Sequence, residues 1–253
     1  MHSLIYDSTF EGFLSAVFDV YELQIQEPHI TTQDHFRGNI YDKIHEVQTV
    51  EKNHLRVWKG LEKKLSAEAL KQFYKTFLSE LPGIENTLLQ YAQYAFKEAK
   101  SIEKDFSNEA VLQVFQIAKK VHREKHRMEA FVRFQETADG LFFAIVEPDF
   151  NVLPLIEAHF KNRFADMAWL IWDGKRRYGI YYDKESVTNV QMAFTDNLQG
   201  GKDIRAIYDE KEVLYQQLWQ QYFKSVNIQS RKNNKLHLQH MPTRYWKYLP
   251  EKK

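Results

Sequence analysis

Cysteine is absent from all 253 residues. Its absence excludes disulfides, thiol catalysis and cysteine-ligated zinc or iron–sulfur sites. Long apolar runs are missing as well. Nothing approaches the roughly 18 residues that a membrane helix needs, and no signal-peptide pattern opens the chain. A cytoplasmic location and no membrane partner are therefore expected. Glycine is scarce, at 9 residues, and no Gly-rich phosphate loop, GxSxG elbow or helix-hairpin-helix pattern occurs. No motif calls for a cofactor. What is present is globular in character, with 43% hydrophobic and 27% charged residues, too apolar for a disordered chain. Aromatics at 15% favour a thick core or stacking surfaces.

The net charge of +1 conceals an asymmetry. Residues 224–253 hold eight Lys and Arg against the single acid Glu251, a net of +7, which leaves −6 for residues 1–223. Such a segment suits an anionic partner, and Tyr245, Trp246 and Tyr248 interleave with its bases. The alternative is a solvated tail.

The densest apolar and aromatic material runs from Met128 to Asp183. Met128, Ala130, Val132 and Phe134 alternate with more polar neighbours, the period of a half-buried strand. Asp139-Gly140 then turns the chain into the apolar run Leu141–Val146, so a hairpin is expected over 128–146. Ile156, Phe160 and Phe164 form a helical stripe, with His159 and Arg163 adjacent beside it. Met167–Trp172 and Lys175–Tyr182 read as a second hairpin, with a two-residue type I′ turn at Asp173-Gly174. The expected fold class is α+β: an antiparallel sheet of two hairpins plus edge strands, roughly four to six strands in all, flanked by helices.

Elsewhere, Leu4–Tyr6 reads as a strand, and Ser8-Thr9-Phe10-Glu11 has capping-box spacing ahead of an amphipathic helix. Leu23–Ile25 and Ile40–Val47 are weaker strand candidates. Four helical stripes follow, around Leu55–Leu61, Leu70–Leu81, Ile84–Phe96 and Val111–Val121, and short links between them imply a small inserted bundle. The expected organisation is a β/α part at 1–50, a helical subdomain at 51–126, a central α+β part at 127–228 and a basic aromatic segment at 229–253. Thr188–Phe194 reads as a further strand and Asp209–Val226 as a further helix.

Few constellations carry chemistry. His122 and His126 share a helical face, but no third ligand is evident and five bases surround them, so no metal site is expected. Asp7 and Glu11 are better explained by capping than by acid–base work. His159 and Arg163, with Asp149 as the nearest carboxylate, are the catalytic candidates, because Arg can grip a phosphate and His carries protons near neutral pH. Arg176, Arg177, Arg231, Asn233, Lys235, Arg244, Tyr245, Trp246 and Lys247 are the nucleic-acid-binding candidates, bases for phosphates and aromatic faces for unpaired bases.

Three stretches together resemble a known family. They are Tyr6-Asp7-Ser8-Thr9-Phe10-Glu11-Gly12-Phe13-Leu14, the block from Pro148 to Trp172, and Met241-Pro242-Thr243-Arg244-Tyr245-Trp246-Lys247-Tyr248-Leu249-Pro250-Glu251. The chain is similar to the bacterial probable DNA metabolism proteins, whose members accompany a putative radical SAM DNA-modification or repair protein. A related domain is fused to uracil-DNA-binding members of the uracil-DNA glycosylase superfamily. Ser8 departs from the glycine expected in that family. The resemblance implies DNA and a radical SAM repair protein as partners and transfers no catalytic residue. An accessory nucleic-acid-binding protein is thus expected; the alternative is an enzyme acting on a nucleotide or DNA base through His159, Arg163 and Asp149.

Overall fold

The computed structural model describes residues 2–38, 42–137, 140–191 and 241–249. Its contacts divide the chain into two units, 1–122 and 123–253.

The first unit is built on a parallel sheet of three short strands. β1 (His2–Tyr6) lies between β2 (Pro28–Thr32) and β3 (Lys43–Glu46). Parallel neighbours require a crossover, and α1 (Phe10–Glu22) supplies it between β1 and β2. The strand expected at Leu23–Ile25 therefore lies further on, at Pro28–Thr32, because Leu23 caps α1. The cap at the start of α1 also shifts by one residue. Thr9, not Ser8, accepts from the Gly12 N–H, and Asp7 rather than Glu11 reaches the cap, accepting from the Thr9 N–H at 3.0 Å. Ser8 takes a left-handed φ of 65° at this entry, a conformation that glycine adopts at least cost.

Helices α2 (Glu51–Glu62), α3 (Ala67–Phe77) and α4 (Ile84–Lys97) follow as their stripes predict, and α5 runs from Glu109 to Phe131. Leu4, Phe13, Val17 and Ile30 share one core with Leu61, Phe73 and Leu88, so in this unit the helices and strands bury one another. Phe10 meets Trp58, Tyr74 and Phe77 there at centroid separations of 5.7, 5.0 and 5.1 Å.

The second unit is a five-stranded sheet in the order β4 (Gln135–Glu136), β5 (Phe142–Val146), β6 (Trp169–Asp173), β7 (Tyr178–Tyr182) and β8 (Val187–Val190). The second hairpin, β6–β7, is present as expected; in the first, β5 pairs antiparallel with only Gln135–Glu136, beyond the residues 128–134 expected as its partner strand, and β7–β8 is antiparallel as well. Where the hairpins meet, β5 and β6 run parallel. The sheet is mixed because α6 (Leu153–Arg163) intervenes and carries the chain back over one face. Phe160 and Phe164 of this crossover meet Phe134, and Phe160 also meets Trp169.

Two local expectations are corrected. Met128–Phe131 is the last turn of α5 rather than strand. Ala118, Val121, Glu124 and Met128 are all buried at helical spacing, and the carboxylate at 124 hides the continuity of that stripe. The β6–β7 turn spans four residues rather than two. Asp173 accepts from the N–H groups of Lys175 and Arg176 at 2.9 and 3.0 Å, and the left-handed residue is Arg177, φ 57°. The expected helix 209–226 and the last residues of the expected strand 188–194 lie outside the described residues, as do Arg231, Asn233 and Lys235.

Candidate functional site

The second unit gathers its charge around a residue that composition does not single out. Glu124 lies on the buried side of α5 with 1% of its surface exposed. A carboxylate so buried is costly unless its oxygens are satisfied, and here they are. Tyr245 donates its phenol O–H to Oε1, the Asp149 N–H donates to Oε1 at 2.9 Å, and Arg244 Nη2 lies 3.1 Å from Oε2. Arg127, one turn along α5, adds a longer contact of 3.5 Å.

Tyr245 and Arg244 come from a 3-10 helix, Thr243–Tyr248, near the chain's end. Tyr245 and Leu249 are buried and anchor this segment, while Trp246 and Tyr248 are half-buried. The Arg244 guanidinium lies 4.5 Å from the Tyr245 ring centroid and also meets the Asp149 carboxylate at 2.7 Å. Burial opposes the charge on Arg244, but Tyr245, Glu124 and Asp149 outweigh it and hold the guanidinium more firmly cationic. The Tyr245 phenol is raised, by burial first and by Glu124 second. Lys247 pairs with Glu147 at 2.6 Å, and Trp246 donates its indole N–H to the Met241 carbonyl.

A clamp positions the Asp149 loop. Asp173, wholly buried at the end of β6, pairs with Arg176 at 2.9 Å. Burial raises the Asp173 pKa, and the Arg176 cation and two N–H donors lower it only in part. Arg176 in turn donates to the carbonyls of Pro148 and Asp149 at 3.1 and 3.2 Å. Its neighbour Arg177 is exposed.

The three catalytic candidates are held by different contacts. Asp149 belongs to the Glu124–Arg244 cluster. His159, on α6, places Nδ1 3.7 Å from Glu129 Oε1 and stands edge-on to Phe160, with Nε2 buried and without a hydrogen-bond partner among the described residues. Arg163, the last residue of α6, is exposed, with its guanidinium 5.7 Å from the Phe164 ring centroid. No hydrogen bond or ion pair among the described residues joins the three. A small cavity of about 10 Å³ is lined by Met128, Phe131, Val146, Glu147, Tyr245 and Tyr248, room for about one water. Among the described residues no group of His, Asp and Glu has a geometry suited to a metal ion. No described helix is long and apolar enough to cross a membrane.

These features define an α+β protein whose ordered C-terminal helix is tied through a buried carboxylate to the long helix before its sheet. Residues 82–251 match the family model described as a domain of unknown function, DUF4130, and the chain belongs to that family. No curated protein matches the chain. Among solved structures, a pGpG-specific phosphodiesterase, PggH from Vibrio cholerae, is similar at a TM-score of 0.36 and 9% identity, over 72% of this chain and 81% of that one. A likeness that loose transfers neither fold nor activity.

Proposed function

We propose that this chain is a nucleic-acid-binding accessory protein of DNA metabolism that works beside a radical SAM DNA-repair enzyme. The observation that carries the reading is the net +7 of residues 224–253 against −6 for the remainder, with aromatics interleaved among the bases. The sequence resemblance supplies the DNA and radical SAM context. Arg231, Lys232 and Lys235 contribute phosphate-neutralising charge, and each neutralised phosphate releases condensed counterions. Arg244 and Lys247 are already paired in the free protein. Their partners Asp149 and Glu147 have side chains 52% and 41% exposed, and exposed pairs are worth only about 0–1 kcal/mol. A phosphate can therefore replace either acid at little cost.

The test is binding to single-stranded, duplex and uracil-containing DNA across a salt series, with and without the partner enzyme. Arg231→Ala combined with Lys235→Ala is expected to weaken binding and to flatten the salt slope by about one unit per lost contact. Unchanged affinity and slope in the folded double variant overturn the assignment of this segment as the DNA contact.

A further inference from the structure

The first unit carries an aromatic groove that the C-terminal cluster does not involve. It lies where the last turns of α1 and α4 meet the middle of α2, with a volume of about 420 Å³, within the roughly 300–1,000 Å³ of small-ligand sites. Phe18, Tyr21 and Phe96 wall it, with the Tyr21 and Phe96 rings edge to face at 5.9 Å. Tyr21 is 48% exposed, so part of an aromatic face is left in water. Gly60 keeps the groove open. A Cβ there would stand 3.1 Å from Phe96 Cε1, so any side chain would push into the space.

Two charged residues line the groove. The exposed Arg56 has its guanidinium 5.6 Å from the Phe18 centroid and no carboxylate partner among the described residues. Arg176, Arg244 and Lys247, by contrast, are each paired with an acid. Arg56 and Gly60 are four residues apart and so share one side of α2. Glu22 is the acid of the lining. It lies with Tyr21 in the last turn of α1, and helix C-termini carry partial negative charge. An anion is therefore favoured at Arg56, and N–H donors are favoured at Glu22.

Aromatic walls, an unpaired guanidinium and a carboxylate placed apart from it match one ligand chemistry. We propose that this groove binds an unpaired nucleotide, with the base stacked on Tyr21 and its edge against Phe96, an exocyclic amino or ring N–H donated to Glu22, and the phosphate on Arg56. The site extends the nucleic-acid reading above to a second contact and rests on it for its DNA setting. A neutral apolar peptide would use the aromatic walls but leave the charge on Arg56 unmatched.

The experiment titrates the full chain with each of the four deoxynucleoside 5′-monophosphates and with 2-deoxyribose 5-phosphate, followed by calorimetry and backbone amide shifts. The expected result is nucleotide binding with shifts at residues 18–22, 56–60 and 96, and much weaker binding of the base-free sugar phosphate. Tyr21→Ala and Arg56→Glu should each weaken nucleotide binding about tenfold. Both side chains are exposed, so the fold should survive; if Tyr21→Ala fails to fold, Arg56→Glu decides. Equal affinity in the folded Arg56→Glu variant overturns the proposal, as does a groove perturbed by an apolar aromatic peptide but by no nucleotide. Titration with single-stranded DNA separates the two readings. DNA binding that depends on Arg231 and Lys235 while nucleotides leave the groove unperturbed sinks the groove alone. Nucleotide binding in the groove without DNA affinity supports the groove and sinks the C-terminal reading.

Discussion

Arg244 serves the fold before it serves any ligand. Its removal would leave the Glu124 carboxylate buried with Tyr245, Arg127 and one N–H as partners. Arg244→Ala is therefore expected to destabilise the protein by about 1–3 kcal/mol, the cost of under-satisfying a buried acceptor. The effect should shrink when Glu124→Gln is also present, and chemical denaturation of the four proteins in the cycle measures it. Equal losses with and without the carboxylate would mean that the pairing contributes nothing. At the other end of the chain, Gly12 is required for a steric reason. A Cβ at this position would lie 2.0 Å from Asp7 Oδ1, so Gly12→Ala should cost about 1–3 kcal/mol, as overpacking does. Burial pushes the Asp7 pKa up, but hydrogen bonds from Thr9 and Thr49 outweigh it and the net shift is downward. A carboxyl lowered on folding adds stability above its unfolded pKa, about 3.9, and that stability disappears as pH falls through the lower folded value. Melting temperatures of the wild type and Asp7→Asn should therefore differ at neutral pH and converge in strong acid.

Among the elements, the β6–β7 turn does more than reverse the chain. Asp173 and Arg176 within it hold the loop that presents Asp149. Asp173→Ala would take the carboxylate from a guanidinium that is only 10% exposed and free two turn N–H groups. A loss of about 3–5 kcal/mol is expected, the range for breaking a buried pair from one side. Amide exchange should rise at residues 148–150 as well as in the turn. Faster exchange confined to 174–177 would show that the turn does not position the loop. The parallel β5–β6 junction has its cause in α6, since a chain that leaves one strand through a helix re-enters alongside it.

Taken whole, the molecule buries phenols in both units. Burial raises Tyr91 to about 12 and moves Tyr6, Tyr245 and Tyr248 upward as well. Unfolded tyrosine ionises near pH 10, so folding binds these protons more tightly than the unfolded chain does. The stability they contribute is intact below about pH 10 and is lost as pH rises through the raised values. An absorbance titration at alkaline pH should show a late group of tyrosines ionising together with the loss of helical circular dichroism. Smooth ionisation of every tyrosine before unfolding would contradict the burial.

The amphipathic stripes, β1, β5, the second hairpin and the crossover helix were legible in the sequence, because periodicity records which side of an element is buried. The charge asymmetry was legible for the simpler reason that it is a count. Pairing direction, turn length and the partners of each ion required tertiary structure. Glu124 shows why. By residue type it belongs on a surface, and its place in the buried stripe is possible only because Tyr245 and Arg244, about 120 residues later, satisfy its oxygens. Reading Met128–Phe131 as strand and overlooking the hub of the C-terminal cluster had the same origin, a carboxylate whose compensation lies far away in sequence. The groove at Arg56 was likewise invisible, since three helices converge on it and no single stretch contains its walls.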